Sequence, residues 1–301
     1  MEPWIAATCA AALFQTLRFA LQKRLKLAGL SATGATWARF VWSAPLLTGA
    51  VAIWLFAQGR GLPPLSGRFW AFALVGGIAQ ILATVLVVML FSRRNFAVGI
   101  TFKKSEVLQT VLVGWIVLGD LVSSSGFAAM IVGLAALLLL SESPAAARAG
   151  GAARFDMPSV VLGLGSGAFF AVAGVCYRGA TLALGDGPVA EVSAVALMLV
   201  TLSQTFLMAL WLLLRDRAQI ARVLAAWRPG LAVGLASLAG SLCWFSAFAQ
   251  QNAAYVYAVG QVELLFSFAA GALFFGERLS PRETCGAMLL MASIVVLVLV
   301  T

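Results

Sequence analysis

The sequence predicts an all-α integral membrane protein: ten transmembrane helices in two inverted five-helix repeats. Composition, the spacing of apolar runs and an internal self-match carry this reading. Of 301 residues, 62% are hydrophobic and 10% are charged. That is too little polar sequence to coat a soluble globule, so lipid must be the solvent. Apolar runs fall at 4–22, 34–57, 69–91, 96–118, 122–140, 158–182, 189–214, 229–249, 253–275 and 283–300. Each is near the roughly 20 residues that cross a hydrocarbon core.

Shifted by 157 positions, the chain matches itself. Glu106 falls on Glu263, each inside an apolar run, and the same register pairs Trp70 with Trp227, Gly77 with Gly234, Asn95 with Asn252, Gly114 with Gly271, Gly119 with Gly276 and Asp120 with Glu277. The expected organisation is therefore a first repeat over 1–141, a connector over 142–157 and a second repeat over 158–301. The connector, rich in Pro, Gly, Ala and charge, has the composition of a flexible link. The first run lacks a basic N-terminal flank and belongs to the repeat, so no cleavable leader is expected.

Five spans per repeat force the copies to insert upside down relative to one another. Loop charges agree: connections after odd-numbered spans carry thirteen Lys and Arg residues, those after even-numbered spans only Arg60 and Arg68. The loop SRRN at 92–95 becomes AQQN at 249–252, losing both arginines where inversion moves it across the membrane. Positive residues stay inside, so odd connections are expected in the cytoplasm and both termini outside. The expected location is the inner (cytoplasmic) membrane, as a multi-pass protein, monomeric or weakly dimeric.

The net charge of +9 resides in short groups at span ends and forms no stripe with interleaved aromatics, which argues against nucleic acid as a partner. Cys9, Cys176, Cys243 and Cys285 are scattered through apolar sequence without metal or redox spacing. Histidine is absent, excluding Ser-His-Asp, Cys-His and H-E-x-x-H chemistry. No cofactor or metal is expected, and no enzyme activity.

The unusual local feature is Lys103-Lys104-Ser105-Glu106, eight to eleven residues into the fourth run, or about 12–16 Å deep at 1.5 Å per residue. A charge there costs about 2.5–3.5 kcal/mol on insertion scales unless it is paired or faces water. Lys103 and Glu106 share a helix face, and Lys104 is rotated from it by about 100°. One reading is an intrahelical ion pair with Lys104 anchored on a neighbouring helix. The other is a substrate site, favoured because the second copy keeps the acid and replaces the lysines with Gly260 and Gln261. Glu263, without a cation in its own run, is then the expected proton carrier.

Tyr257 and Gln261 follow one face of the ninth run. Tyr177 lies on the sixth, and Tyr255 suits an interfacial belt. Gln15 and Arg18 on the first run are three apart; Arg18 reaches a substrate carboxylate, or Glu263, or snorkels to the cytoplasmic face. Gln80 and Thr84 face the cavity or bond another helix, and Trp244 floors the site or packs. Arg39, Arg178 and Glu191 lie near span ends, where snorkelling is expected. The glycines, including Gly167 and Gly240, are read as close-approach positions, and GLGSG at 163–167, with no preceding strand, is not a phosphate loop.

The duplication, the ten spans, and fourth and ninth spans that close on Gly119-Asp120 and Gly276-Glu277-Arg278-Leu279-Ser280 before a Gly-containing apolar run resemble the EamA-type branch of the drug/metabolite transporter superfamily. The resemblance covers essentially the whole chain. It implies a cavity lined by spans 1, 3, 4, 6, 8 and 9, with 2 and 7 at the gates. It also implies cytoplasmic termini in many relatives, against the loop charges here. The expected function is secondary active transport, as exporter or exchanger, of a small polar metabolite such as an amino acid or organic acid, by alternating access and with protons as a coupling ion. Candidate substrate-binding residues are Lys103, Lys104, Glu106, Tyr257, Gln261, Glu263, Arg18, Gln15, Gln80, Trp244 and Tyr177. Efflux of lipophilic cations is disfavoured by the two lysines; exchange of phosphorylated or nucleotide-linked metabolites suits them. A membrane enzyme would cluster its catalytic groups near one interface, and a lipid scramblase would show a polar stripe open to lipid.

Overall fold

The structure, a computed structural model, describes residues 2–90, 102–141, 157–266 and 281–300, without the side chains of 137–141, 282 and 283. The loop 92–95, most of the connector and the segment Gly276–Ser280, on which several expectations fell, lie outside the described residues. Among the described residues every regular element is helical.

Helix α1 (Pro3–Leu27) starts on a proline, whose missing N–H is unneeded in a first turn, and ends on Arg24 and Lys26, which suit the negative helix end. The second apolar run, expected as one helix, is two: α2 (Ala32–Val41) and α3 (Ala44–Ala57). Pro45 has no N–H to offer the preceding turn, and Ser43 Oγ instead donates to the Arg39 carbonyl at 2.7 Å. Helix α4 (Gly67–Leu90) follows.

The fourth run also breaks. Phe102 and Lys103 are helical, Lys104 and Ser105 form a turn, and α5 (Glu106–Leu118) begins at the acid itself. Gly119, in the left-handed conformation at φ +71°, stops α5, and the Asp120 N–H closes the end on the Gly114 carbonyl. After α6 (Ser124–Ser141) come α7 (Met157–Ala183) and α8 (Val189–Arg215). The connection from 215 to 228, expected as a loop, contains α9 (Arg217–Ala225), whose Ile220 and Val223 turn inward between flanking arginines.

Helix α10 (Trp227–Gln250) leads to α11 (Ala253–Val259), capped by Asn252, whose Oδ1 accepts the Ala254 N–H at 2.9 Å. Residues Gly260–Val262 then tighten into a 3₁₀ turn before the chain resumes α-helix at Glu263. This break falls 157 positions after Lys103–Ser105. The last helix is α12 (Pro281–Leu299).

Among the described residues six helical segments are long and apolar enough to cross a membrane: α1, α2 with α3, α4, α7, α8 and α10. Shorter apolar helices stand at the expected fourth, fifth, ninth and tenth spans. Phe56, Phe206 and Ile116 are 88%, 69% and 67% exposed, a surface that only lipid solvates without penalty. Inside, α4 packs along α7, α10 along α1, and α6 along α12. Glycine also permits a close approach beside them: a Cβ on Gly167 of α7 would stand 2.8 Å from the Lys103 carbonyl, so this position lets α7 lie on the backbone next to the Lys104–Ser105 turn.

Candidate substrate site at two helix breaks

Breaking a helix inside the apolar slab frees backbone groups and lets side chains on either side of the break turn toward one centre. The two breaks before Glu106 and Glu263 do this. Lys103 Nζ donates to Glu106 Oε1 at 2.8 Å, with both side chains 3% exposed. Lys104 Nζ crosses to Glu263 Oε2 at 2.9 Å. Glu263 Oε2 also accepts from Gln15 Nε2 at 3.2 Å, and Gln15 Oε1 accepts from Arg18 Nη2 at 3.5 Å. Arg18 is held further by Gln22 Oε1 at 3.0 Å and lies 4.2 Å over the Phe19 ring.

Helix α2 adds a fourth buried cation. Arg39 is 3% exposed. Its Nε donates to Ser237 Oγ at 2.8 Å, Nη2 to Ser241 Oγ at 3.1 Å and Nη1 to Thr84 Oγ1 at 3.2 Å. Ser237 and Ser241 are one turn apart on α10, so they present both hydroxyls on one face.

These groups line one buried cavity. Its polar wall is Gln15, Arg18, Arg39, Gln80, Lys103, Glu106, Ser237 and Ser241, and its aromatic wall includes Phe170, Tyr177, Trp244, Phe245, Phe248 and Tyr257. The aromatic side is fixed by its own bonds. Tyr257 Oη donates to the Phe170 carbonyl at 2.9 Å, and Trp244 packs between Phe248 and Tyr257 at centroid distances of 5.7 and 5.4 Å. Tyr177 Oη accepts from Gln204 Nε2, which also bonds Gln80 Oε1 at 2.9 Å. Glu106 Oε2 is buried with no hydrogen-bond partner, and a carboxylate oxygen so placed accepts a donor from whatever enters. The cavity measures about 20 Å³, room for a water; anything larger requires the helices to part.

At the membrane face that carries the α5–α6 connection, a second polar cluster closes the bundle. Arg178 Nε donates to Asp120 Oδ2 at 2.8 Å and Nη1 to the Phe248 carbonyl at 3.1 Å. Beside it, Tyr255 Oη accepts the Ser123 N–H at 2.9 Å. At the opposite face, the Ser31 N–H donates to Gln219 Oε1 at 2.9 Å, joining the α1–α2 connection to α9.

Residues 157–299 match the model of the EamA-like transporter family. Over those residues, just under half of the chain, the protein is similar to that family. A solved crystal structure superposes with a TM-score of 0.65 over 96% of this chain and 98% of its own length at 17% identity, a likeness of fold. No curated protein matches the sequence. An EamA-like chain of this kind is a multi-pass membrane transporter of small molecules.

Of the residues expected at the site of this EamA-like transporter, Gln15, Arg18, Gln80, Lys103, Glu106, Tyr177, Trp244 and Tyr257 share the central cavity. Lys104 and Gln261 turn instead into a neighbouring pocket against α6 and α12, in keeping with the rotation of Lys104 off the Lys103–Glu106 face. Glu263 joins the network through Gln15 and Lys104. Glu263 was expected to be the protonatable acid for want of a cation in its own run, unless Arg18 reached it; its cation is Lys104, from the other half of the chain, where no local pattern reveals it. The ion-pair reading of the Lys103–Glu106 segment is realised, with Lys104 anchored across the bundle.

Two snorkelling arginines are corrected as well. Arg39 is enclosed by hydroxyls, and it was missed because it was judged by its distance from a span end; the Ser237/Ser241 spacing was the available signal. Arg178 is held by Asp120, and Tyr255 is buried at 7% exposure with its hydroxyl engaged, so it is not an interfacial belt residue. Span 2, expected at a gate, contributes Arg39 to the cavity itself.

Proposed function

We propose that this protein is a secondary active transporter that carries a small polar metabolite bearing an acidic group, an organic acid or an amino acid, through the cavity by alternating access. One observation carries the reading: among the described residues, Arg18, Arg39, Lys103 and Lys104 are buried in and beside the cavity with only Glu106 and Glu263 as nearby acids. Their surplus of positive charge is costly in an apolar slab. An anion entering between them offsets it. In this reading Glu106 Oε2 accepts a proton or a substrate amine, and the cavity arginines hold the acidic group.

The duplicated architecture supports the mechanism. Under the 157-residue shift the packing of α4 on α7 corresponds to that of α10 on α1, and the turn before Glu106 to that before Glu263. Two halves so related rock about a shared site and expose it to either side in turn. In this account the cavity is contracted, and the Arg178–Asp120 cluster closes one end. Loop charge puts that end outside and the Ser31–Gln219 end in the cytoplasm of an inner membrane. The direction of net transport is export or exchange.

The purified protein in proteoliposomes tests the reading. Labelled organic acids and amino acids should exchange across the membrane, and a pH gradient should alter accumulation if protons couple. Movement confined to lipophilic cations, or to lipid itself, would overturn it.

A further inference from the structure

Arg39 is a buried guanidinium whose described hydrogen-bond partners are all neutral. Its three bonds go to Ser237, Ser241 and Thr84. Guanidinium carries five N–H donors in a fixed fork, so two N–H groups remain for another acceptor. Hydroxyls position such a charge without neutralising it, and a buried cation without an anionic partner is strongly unfavourable. The break between α2 and α3 is what holds it inside: Ser43 caps the Arg39 carbonyl and the chain turns, keeping the guanidinium against α4 and α10. Arg18, its neighbour on the same cavity wall, bonds only to the neutral side chains Gln15 and Gln22.

Lys103 and Lys104, in contrast, each have a carboxylate at salt-bridge distance. The two arginines are therefore the surplus cations. Hydroxyls that accept from a guanidinium keep their own O–H free to donate, so Ser237, Ser241 and Thr84 can each add a donor to an oxyanion held by Arg39. We infer that Arg39 with Ser237, Ser241 and Thr84 forms an oxyanion subsite distinct from the Lys103–Glu106 pair, and that with Arg18 it makes the substrate a small organic dianion.

This rests on the transport reading and narrows its substrate class. Two carboxylates on a short chain, or a single phosphate ester, supply the same double charge; a monocarboxylate leaves one arginine unmatched. Glu106 Oε2, accepting a hydroxyl or amine, would orient the rest of the molecule.

The test uses the full chain in proteoliposomes with succinate, methyl phosphate and butyrate as competitors of exchange, and thermal melting in detergent as an independent readout of binding. The wild type should prefer a dianion over butyrate by more than tenfold and should melt higher in its presence. A lead for methyl phosphate over succinate would assign both charges to one phosphate and support the dianion class. Arg39→Gln should abolish the preference and the melting shift. Ser237→Ala/Ser241→Ala, which keeps the charge and the fold, should reduce both by about tenfold. Equal competition by butyrate, or a dianion preference undiminished in the folded serine variant, overturns the subsite while leaving transport intact. Failure of the wild type to move any solute would instead sink the transport reading itself.

Discussion

Lys104 and Glu263 lie 159 residues apart and meet at 2.9 Å, tying the break in the first half of the chain to the break in the second. The lysine side chain is 3% exposed and the glutamate 13%. Removing one member of such a pair leaves the other buried and uncompensated, at a cost of about 3–5 kcal/mol. Lys104→Met should therefore lower the melting temperature of the purified protein sharply. Lys104→Met/Glu263→Gln should recover a large part of the loss, and an additive double variant would show that the two charges do not support each other.

Glu106 has one oxygen on Lys103 and one without a partner. Glu106→Gln preserves size and one acceptor but leaves Lys103 buried without its carboxylate, so stability should fall by about as much as in Lys104→Met. Exchange of an amino- or hydroxyl-bearing acid should weaken by more than tenfold, and that of an acid lacking such a donor by much less. Equal losses for both would remove the acceptor role.

How much of this was legible beforehand depends on whether the signal was local. The apolar runs, the repeat and the polar content of the fourth and ninth spans are patterns along the chain, and among the described residues helices fall on those runs, broken within the second, fourth and ninth. The breaks were not seen, because Lys103–Ser105 and Gly260–Val262 contain no proline and lie in otherwise apolar sequence. The partners of Glu263 and Arg39 come from elements 45 to 248 residues away in sequence, and only packing chooses among such candidates. Span length also misjudged Arg39: about 10 Å of helix separates it from the start of α2, a distance a snorkelling side chain covers unless hydroxyls hold it inside.

Gly174 faces the Tyr257 ring so closely that an added Cβ would stand 2.5 Å from Cε2. Gly174→Ala must displace the tyrosine that bonds the Phe170 carbonyl and shapes the aromatic wall. We expect destabilisation of about 1–3 kcal/mol together with a loss of exchange, followed by melting and by proteoliposome flux. Unchanged flux with an unchanged melt would mean that the wall tolerates rearrangement.

The Arg178–Asp120 pair, 17% exposed on each side, also bonds the end of α10 and so joins three elements at one face. Asp120→Asn should favour opening there. A membrane-impermeant thiol reagent applied at that face should label a cysteine at Phe248, in a chain stripped of its four native cysteines, several-fold faster than in the parent. No change in rate would assign the pair to folding alone.

The central claim is that one cavity, built by both halves, opens to each side of the membrane in turn. A single cysteine at Ser241, on the cavity wall, tests this most directly in proteoliposomes of defined orientation. Impermeant reagent should label it from the inside and, in a separate sample, from the outside, and transported acid should slow both reactions. Labelling from one side only, whatever solute is present, would contradict the account.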